Sequence, residues 1–494
     1  MTDTSTFPHP VYAETVLAPL FEGVKTHYAA HMMAIHKAHL VMLAETGILP
    51  RDDAGQIARA LAAIEAETDI GALAYTGQHE DYFFLVEARL GDKLGDLGGA
   101  LHTARSRNDI DHTMFRMALR DRTAILADQL RALTQALIDK ARAERDSVIV
   151  AYTHGQPAQP TTFGHYLAAI VETLLGDAAR LARAAEALGE CPMGAAAITT
   201  TGFPIDRARV AGLLGFDRPK LNSYACIASV DYITGLYSAI KLVFLHLGRV
   251  AQDLAFWSAF EVGQLRVPDS LVQISSIMPQ KRNPVPIEHM RHLASTAAGH
   301  CDTIIGTMHN TPFTDMNDSE GEVQQAGYAA FDAGGRVLRL MTALLPACSI
   351  DGARVRRNAD AACVTITELA DTLVRDEALS FRQAHEIAAA TARAVIADGR
   401  PLAEGFAAFQ DAFRREKGRP ARTDERAFRD AVALQTFIAR RDRPGGPAPA
   451  ALDAALDIYA RTADAIAAEF RWSSDARNAT KAALDRAFAK LIES

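Results

Sequence analysis

No two of the five cysteines form a CxxC pair; Cys191, Cys226, Cys301, Cys348 and Cys363 are scattered singly. That spacing offers neither a zinc site nor a redox dithiol. An odd number of cysteines, with no signal peptide, suits a reducing cytoplasm. A basic block is also missing: 52 Lys and Arg face 60 Asp and Glu, a formal net charge of -8. Such a chain is not expected to track nucleic-acid phosphates. No glycine-rich phosphate loop follows a strand pattern, no GxSxG surrounds a serine, and no internal repeat stands out. The longest apolar stretch is interrupted by Lys241, His246 and Arg249, so it is not read as a membrane span.

What is present is 494 residues, 49% hydrophobic and 23% charged, enough for a large core and more than one domain. Leu126, Leu130, Leu133 and Leu137 recur at helical spacing, as do Val171, Leu174, Ala178 and Leu181. Ile233, Leu236, Ile240, Val243, Leu247, Val250 and Leu254 continue that pattern along a third, longer segment. One apolar stripe per helix must bury against other helices, which predicts an all-α fold built on a bundle of long helices. The expected division is an N-terminal helical domain over 1–109, a central bundle over 110–353 and a C-terminal helical domain over 354–494. Arg443-Pro444-Gly445-Gly446-Pro447-Ala448-Pro449 breaks the last part, and helical pattern resumes after it.

The segment richest in chemistry is Ser275-Ser276-Ile277-Met278-Pro279-Gln280-Lys281-Arg282-Asn283-Pro284. Its prolines exclude an ordinary helix interior, because proline lacks a donor and clashes with the preceding turn. A loop over 270–286 is therefore expected. Its Ser, Gln, Lys and Asn can bind a carboxylate and present a hydroxyl beside it.

Further segments keep it company: Leu101-His102-Thr103-Ala104-Arg105-Ser106-Arg107-Asn108-Asp109, Tyr152-Thr153-His154-Gly155-Gln156-Pro157, Cys191-Pro192-Met193-Gly194 with Thr201-Gly202-Phe203-Pro204, and Phe381-Arg382-Gln383-Ala384-His385-Glu386. In this order the set resembles the fumarase/aspartase superfamily, most closely its argininosuccinate lyase branch. The resemblance runs from about Lys37 to Gly446. It implies a three-domain helical fold and a homotetramer whose sites are each shared by three subunits. It also implies elimination of an amine from an N-substituted aspartate to leave fumarate, without a cofactor or metal. The matching positions make Ser276 the base, with Ser275 next door as its possible confusion. Lys281 would stabilise the oxyanion. His154, paired with Glu288, would deliver a proton to the leaving amine or orient and balance charge. Ser106, Asn108, Thr153 and Asn283 would bind the succinyl carboxylates beside Lys281, with Arg107 as a charge-assisted partner and Gln159 and Met278 in contact with substrate.

Departures from the branch fall where it recognises arginine. Asp315-Met316-Asn317-Asp318-Ser319-Glu320-Gly321-Glu322-Val323 stands in place of a Tyr-Asn-Arg-Asp-Leu-Gln-Glu-Asp-Lys stretch. Phe83 replaces a histidine and His36 a serine. His36, Phe83, Asp315 and Glu320 are therefore expected around a rebuilt distal pocket. The substrate expected is an aminopolycarboxylate such as ethylenediaminedisuccinate. Argininosuccinate, and a crystallin-like structural role without catalysis, are the alternatives.

Overall fold

The computed structural model describes residues 7–319, 321–470 and 472–493. Among them, the helices Arg107–Ala143, Phe163–Ala185, Asp231–Ser258, Val285–Thr307 and Gly321–Ala347 form the bundle. Each packs on two others, in the ring 107–143, 163–185, 231–258, 285–307, 321–347 and back to 107–143. The stripes explain this closure. Leu126, Leu130, Leu133 and Leu137 are all buried, and so is the 231–258 stripe apart from the half-buried Val250. The all-α expectation holds; the strands among the described residues make only two-stranded ladders.

The 231–258 helix is long and apolar enough to cross a membrane by composition, with 44% of its most apolar window buried. Here it is a bundle helix. Lys241 pairs with Asp302 at 2.6 Å, and His246 Nδ1 lies 2.8 Å from the buried Asp177 carboxylate. All five cysteines are free and buried.

The C-terminal part differs from its expected division. Leu369, Leu373, Phe409, Phe413 and Phe428 form a separate core within 363–432. The helices Pro449–Glu469 and Ser474–Ile492 do not join it. They pack on the 107–143 and 163–185 helices and on Ala29–Glu45 and Arg51–Glu67. Leu452, Leu456, Leu484, Phe488 and Leu491 bury there. The physical reason is that the breaker at 443–449 turns the chain away from the small core, so its apolar stripes meet the bundle instead.

Close approach inside the ring depends on glycine. A Cβ at Gly334 would lie 2.1 Å from Phe244 Cζ, whereas one at Gly299 meets nothing within 4 Å. Gly334→Ala is expected to destabilise the protein by about 1–3 kcal/mol through overpacking. Gly299→Ala should stabilise it by roughly 0.5–1 kcal/mol, since alanine loses less backbone entropy. Thermal midpoints moving in opposite directions are the expected result; a shared direction would contradict the packing.

Candidate active site

The first part of the site is the start of the 107–143 helix. Ser106 caps it, and Ser106 with Asp109 forms a capping box. Unpaired N–H groups at such an end favour an anion. Ser106 Oγ donates to Asn108 Oδ1 at 3.1 Å, and Asn108 Nδ2 donates to the Ala197 carbonyl at 3.1 Å. Asp109 anchors the assembly. Its carboxylate accepts from the backbone N–H groups of Ser106, Gly194 and Ala196 at 2.9–3.0 Å. This clips the Arg-Ser-Arg-Asn-Asp motif to the Cys-Pro-Met-Gly block. Burial pushes Asp109 up to about 6, against the three N–H groups that hold it ionised.

Arg107 is not a free carboxylate donor. It pairs with Asp81 at 2.7 Å and with Asp111 at 3.4 Å, and its guanidinium lies 5.9 Å from the Phe83 ring. Phe83 and His36 both belong to this neighbourhood, their rings 5.8 Å apart. Both are buried, and His36 Nδ1 accepts from Arg105 Nη1 at 2.9 Å. Within one chain His36 thus packs against Phe83 and Arg105 rather than at the surface. Burial lowers the Arg105 guanidinium to about 10. Asp315 arrives from another segment and lies 3.6 Å from His112. Beside it, Phe313 stacks on Tyr224 at 6.0 Å. Glu320 lies outside the described residues.

The second part is a hairpin, Val148–Thr153 with Gln156–Thr162, that helical periodicity did not foretell. Thr153 pairs with Gln156, so His154 and Gly155 form a two-residue turn. Their φ values are 54° and 73°. Positive φ at both positions is the twist-matched geometry for so tight a turn, and it holds His154 out at the exposed tip. Gln159 is occupied, donating to Thr367 at 3.2 Å.

The third part is the loop. Gln273 pairs with Asn283 and Ile274 with Arg282, so residues 275–281 form the tip of a second hairpin. Arg282 secures its base through Asp269 and the Val267 carbonyl. Ser275 Oγ accepts from the Met278 N–H at 3.2 Å. Ser276, Met278 and Lys281 are exposed, and Asn283 is half-buried. Glu288 follows in the first turn of the 285–307 helix, also exposed.

Among the described residues no hydrogen bond or ion pair joins these three parts, and His154 is not paired with Glu288 within one chain. The structure does bring together residues that sequence reading missed: Asp81, Asp109, Asp111 and His112. For Asp111 and His112 part of the signal was present, since they stand among Ile110, Met114 and Phe115 in the helix. Their burial was not readable.

A closed helical ring with a capped Ser-Arg-Asn-Asp helix start and an exposed serine–lysine loop fits a lyase of the fumarate-forming kind. Comparison agrees. The lyase family profile matches residues 14–299 and the argininosuccinate lyase C-terminal profile matches 363–434. The chain is 55% identical to argininosuccinate lyase 2 of Agrobacterium fabrum (strain C58) over 99% of its length and 97% of that protein's. It is similar to an EDDS lyase variant solved with bound fumarate, at TM-score 0.86 and 29% identity over 96% of each chain. A class II fumarase from Schistosoma mansoni shares the fold, at TM-score 0.64 and 15% identity over 79% of this chain and 87% of that one. The chain belongs to the fumarase/aspartase superfamily, in its argininosuccinate lyase branch, and is a carbon–nitrogen lyase.

Proposed function

We propose that this lyase eliminates an amine from an N-substituted aspartate other than argininosuccinate, of the aminopolycarboxylate type such as ethylenediaminedisuccinate, and releases fumarate. The observation that carries the mechanism is the division of labour in the loop. The Ser275 hydroxyl accepts from the Met278 N–H, while Ser276 stays exposed in the same loop as Lys281. Ser276 acts as its oxyanion, held by Lys281, and Oγ takes the proton from the carbon beside one carboxylate to become the neutral hydroxyl. The C–H electron pair becomes the new C=C bond, and the C–N pair leaves with the amine, which acquires a proton. Between these events the carboxylate carries extra charge as an aci form. Ser106, Asn108, Thr153, Lys281 and Asn283 serve as its donors, each worth about 100- to 1000-fold. His154, with Glu288, balances charge or supplies the amine's proton.

The rebuilt 315–323 segment supports a substrate without an arginine half. The 55% identity to an argininosuccinate lyase favours a second reading, in which argininosuccinate is the substrate; rival substrates decide between them. Release of fumarate, followed by absorbance near 240 nm, separates either from a structural protein.

The exposed positions of Ser276, His154 and Glu288 support a site completed by other copies. The 231–258 helix agrees, because Leu245 is 45% exposed on an apolar helix. We place three subunits around each site of a homotetramer, and the enzyme in the cytoplasm. Mixing Ser276→Ala with His154→Asn chains should then restore activity, up to about a quarter of wild type for random assembly at equal ratio. Mixed tetramers that stay inactive would contradict a shared site.

A further inference from the structure

Among the described residues, Glu80, Asp81, Asp109 and Asp111 outnumber Arg105 and Arg107 at the start of the 107–143 helix. Glu80, Asp81 and Asp111 approach the Arg107 guanidinium to 3.7, 2.7 and 3.4 Å. Asp315 acts on Asp111 from the segment after the 285–307 helix. Burial pushes Asp111 up to about 7, with Asp81 and Asp315 adding to the rise and Arg107 opposing it. Excess negative charge at a desolvated carboxylate is relieved by an arriving cation.

A second feature points into the same cluster. His112 is completely buried, and neither ring nitrogen has a hydrogen-bond partner. Its Nε2 lies 3.6 Å from Asp315 Oδ1. Burial lowers the imidazole pKa, and a neutral ring keeps one nitrogen as an acceptor. At the solvent side of the cluster the Arg107 and Asp315 side chains are 33% and 32% exposed.

We propose that Asp111, Asp315 and His112 form a subsite for a second ammonium on the leaving amine. An ammonium has three N–H donors, and these side chains offer two carboxylates and one imidazole. Asp111 follows Asn108 by about 4.5 Å of helical rise. A cation there lies a short carbon chain from a carboxylate held at the helix start. This inference rests on the lyase reading and adds the charge of the leaving group.

The test is the reverse addition to fumarate of 1,2-diaminoethane against n-propylamine, in which methyl replaces one ammonium. For the wild type, KM for the diamine should be lower by at least about tenfold, one charge-assisted contact's worth. Asp111→Asn and Asp315→Asn should each remove that advantage, while the succinate Ki stays within about twofold, as expected where no succinate contact is lost. The succinate Ki also reports folding; if Asp111→Asn fails to fold, the half-buried Asp315→Asn carries the test. Equal KM values for the two amines in the wild type, or a diamine advantage that survives substitution, overturns the subsite. Wild-type protein that neither binds succinate nor adds either amine overturns the lyase reading, and the subsite with it.

Discussion

Ser276→Ala is expected to lower kcat by about 100- to 10,000-fold, the range for loss of a positioned general base. That corresponds to about 3–5 kcal/mol of transition-state stabilisation. Succinate should still bind, because the carboxylate donors are other side chains. Ser275→Ala is the informative contrast. Ser275 closes the loop turn through one hydrogen bond to Met278, a contact worth about 0.5–1.5 kcal/mol. Its loss should reduce kcat by no more than about tenfold. Single-turnover rates of fumarate formation distinguish the two. A Ser276→Ala enzyme that keeps a tenth of wild-type kcat would remove Ser276 as the base. A larger loss at Ser275 than at Ser276 would reassign the role to its neighbour.

The second large effect concerns the substrate. We expect kcat/KM for argininosuccinate to lie at least about 100-fold below that for ethylenediaminedisuccinate, because lost polar partners penalise a substrate strongly. The partners at issue are those replaced along Asp315–Val323. In the structure Asp315 sits against His112, and near it Phe313 stacks on Tyr224. None of these offers the donors and acceptors of the replaced Tyr-Asn-Arg-Asp stretch in the same order. Parallel assays at 240 nm give both constants. Comparable values, or a preference for argininosuccinate, would favour the second reading over the first.

Much of the architecture is legible in the amino-acid sequence. The stripe Ile233 to Leu254 requires a buried helix, since its apolar residues recur at the helical period. The prolines around Ser276 require a loop. Motif order requires the lyase family. The Thr-His hairpin is not legible, because a short ladder needs a partner strand and periodicity reports one segment at a time. The fate of the last two helices escapes for the same reason: an amphipathic helix declares that it has an apolar face, not which surface covers it.

The amino-acid sequence by itself determined the helical periods, the loop and the chemical identity of the groups available. These are local properties, set by side-chain spacing and by proline. Tertiary structure alone decided which groups meet. It tied Asp109 to the N–H groups of Gly194 and Ala196, some 85 residues on. It surrounded Arg107 with Asp81 and Asp111, turning an expected substrate donor into one member of an acidic cluster. It buried His112 against Asp315 and left Ser276 and His154 at the surface of the chain. Such outcomes depend on how five helices close into one ring, and that closure is a property of packing between distant segments rather than of any segment alone.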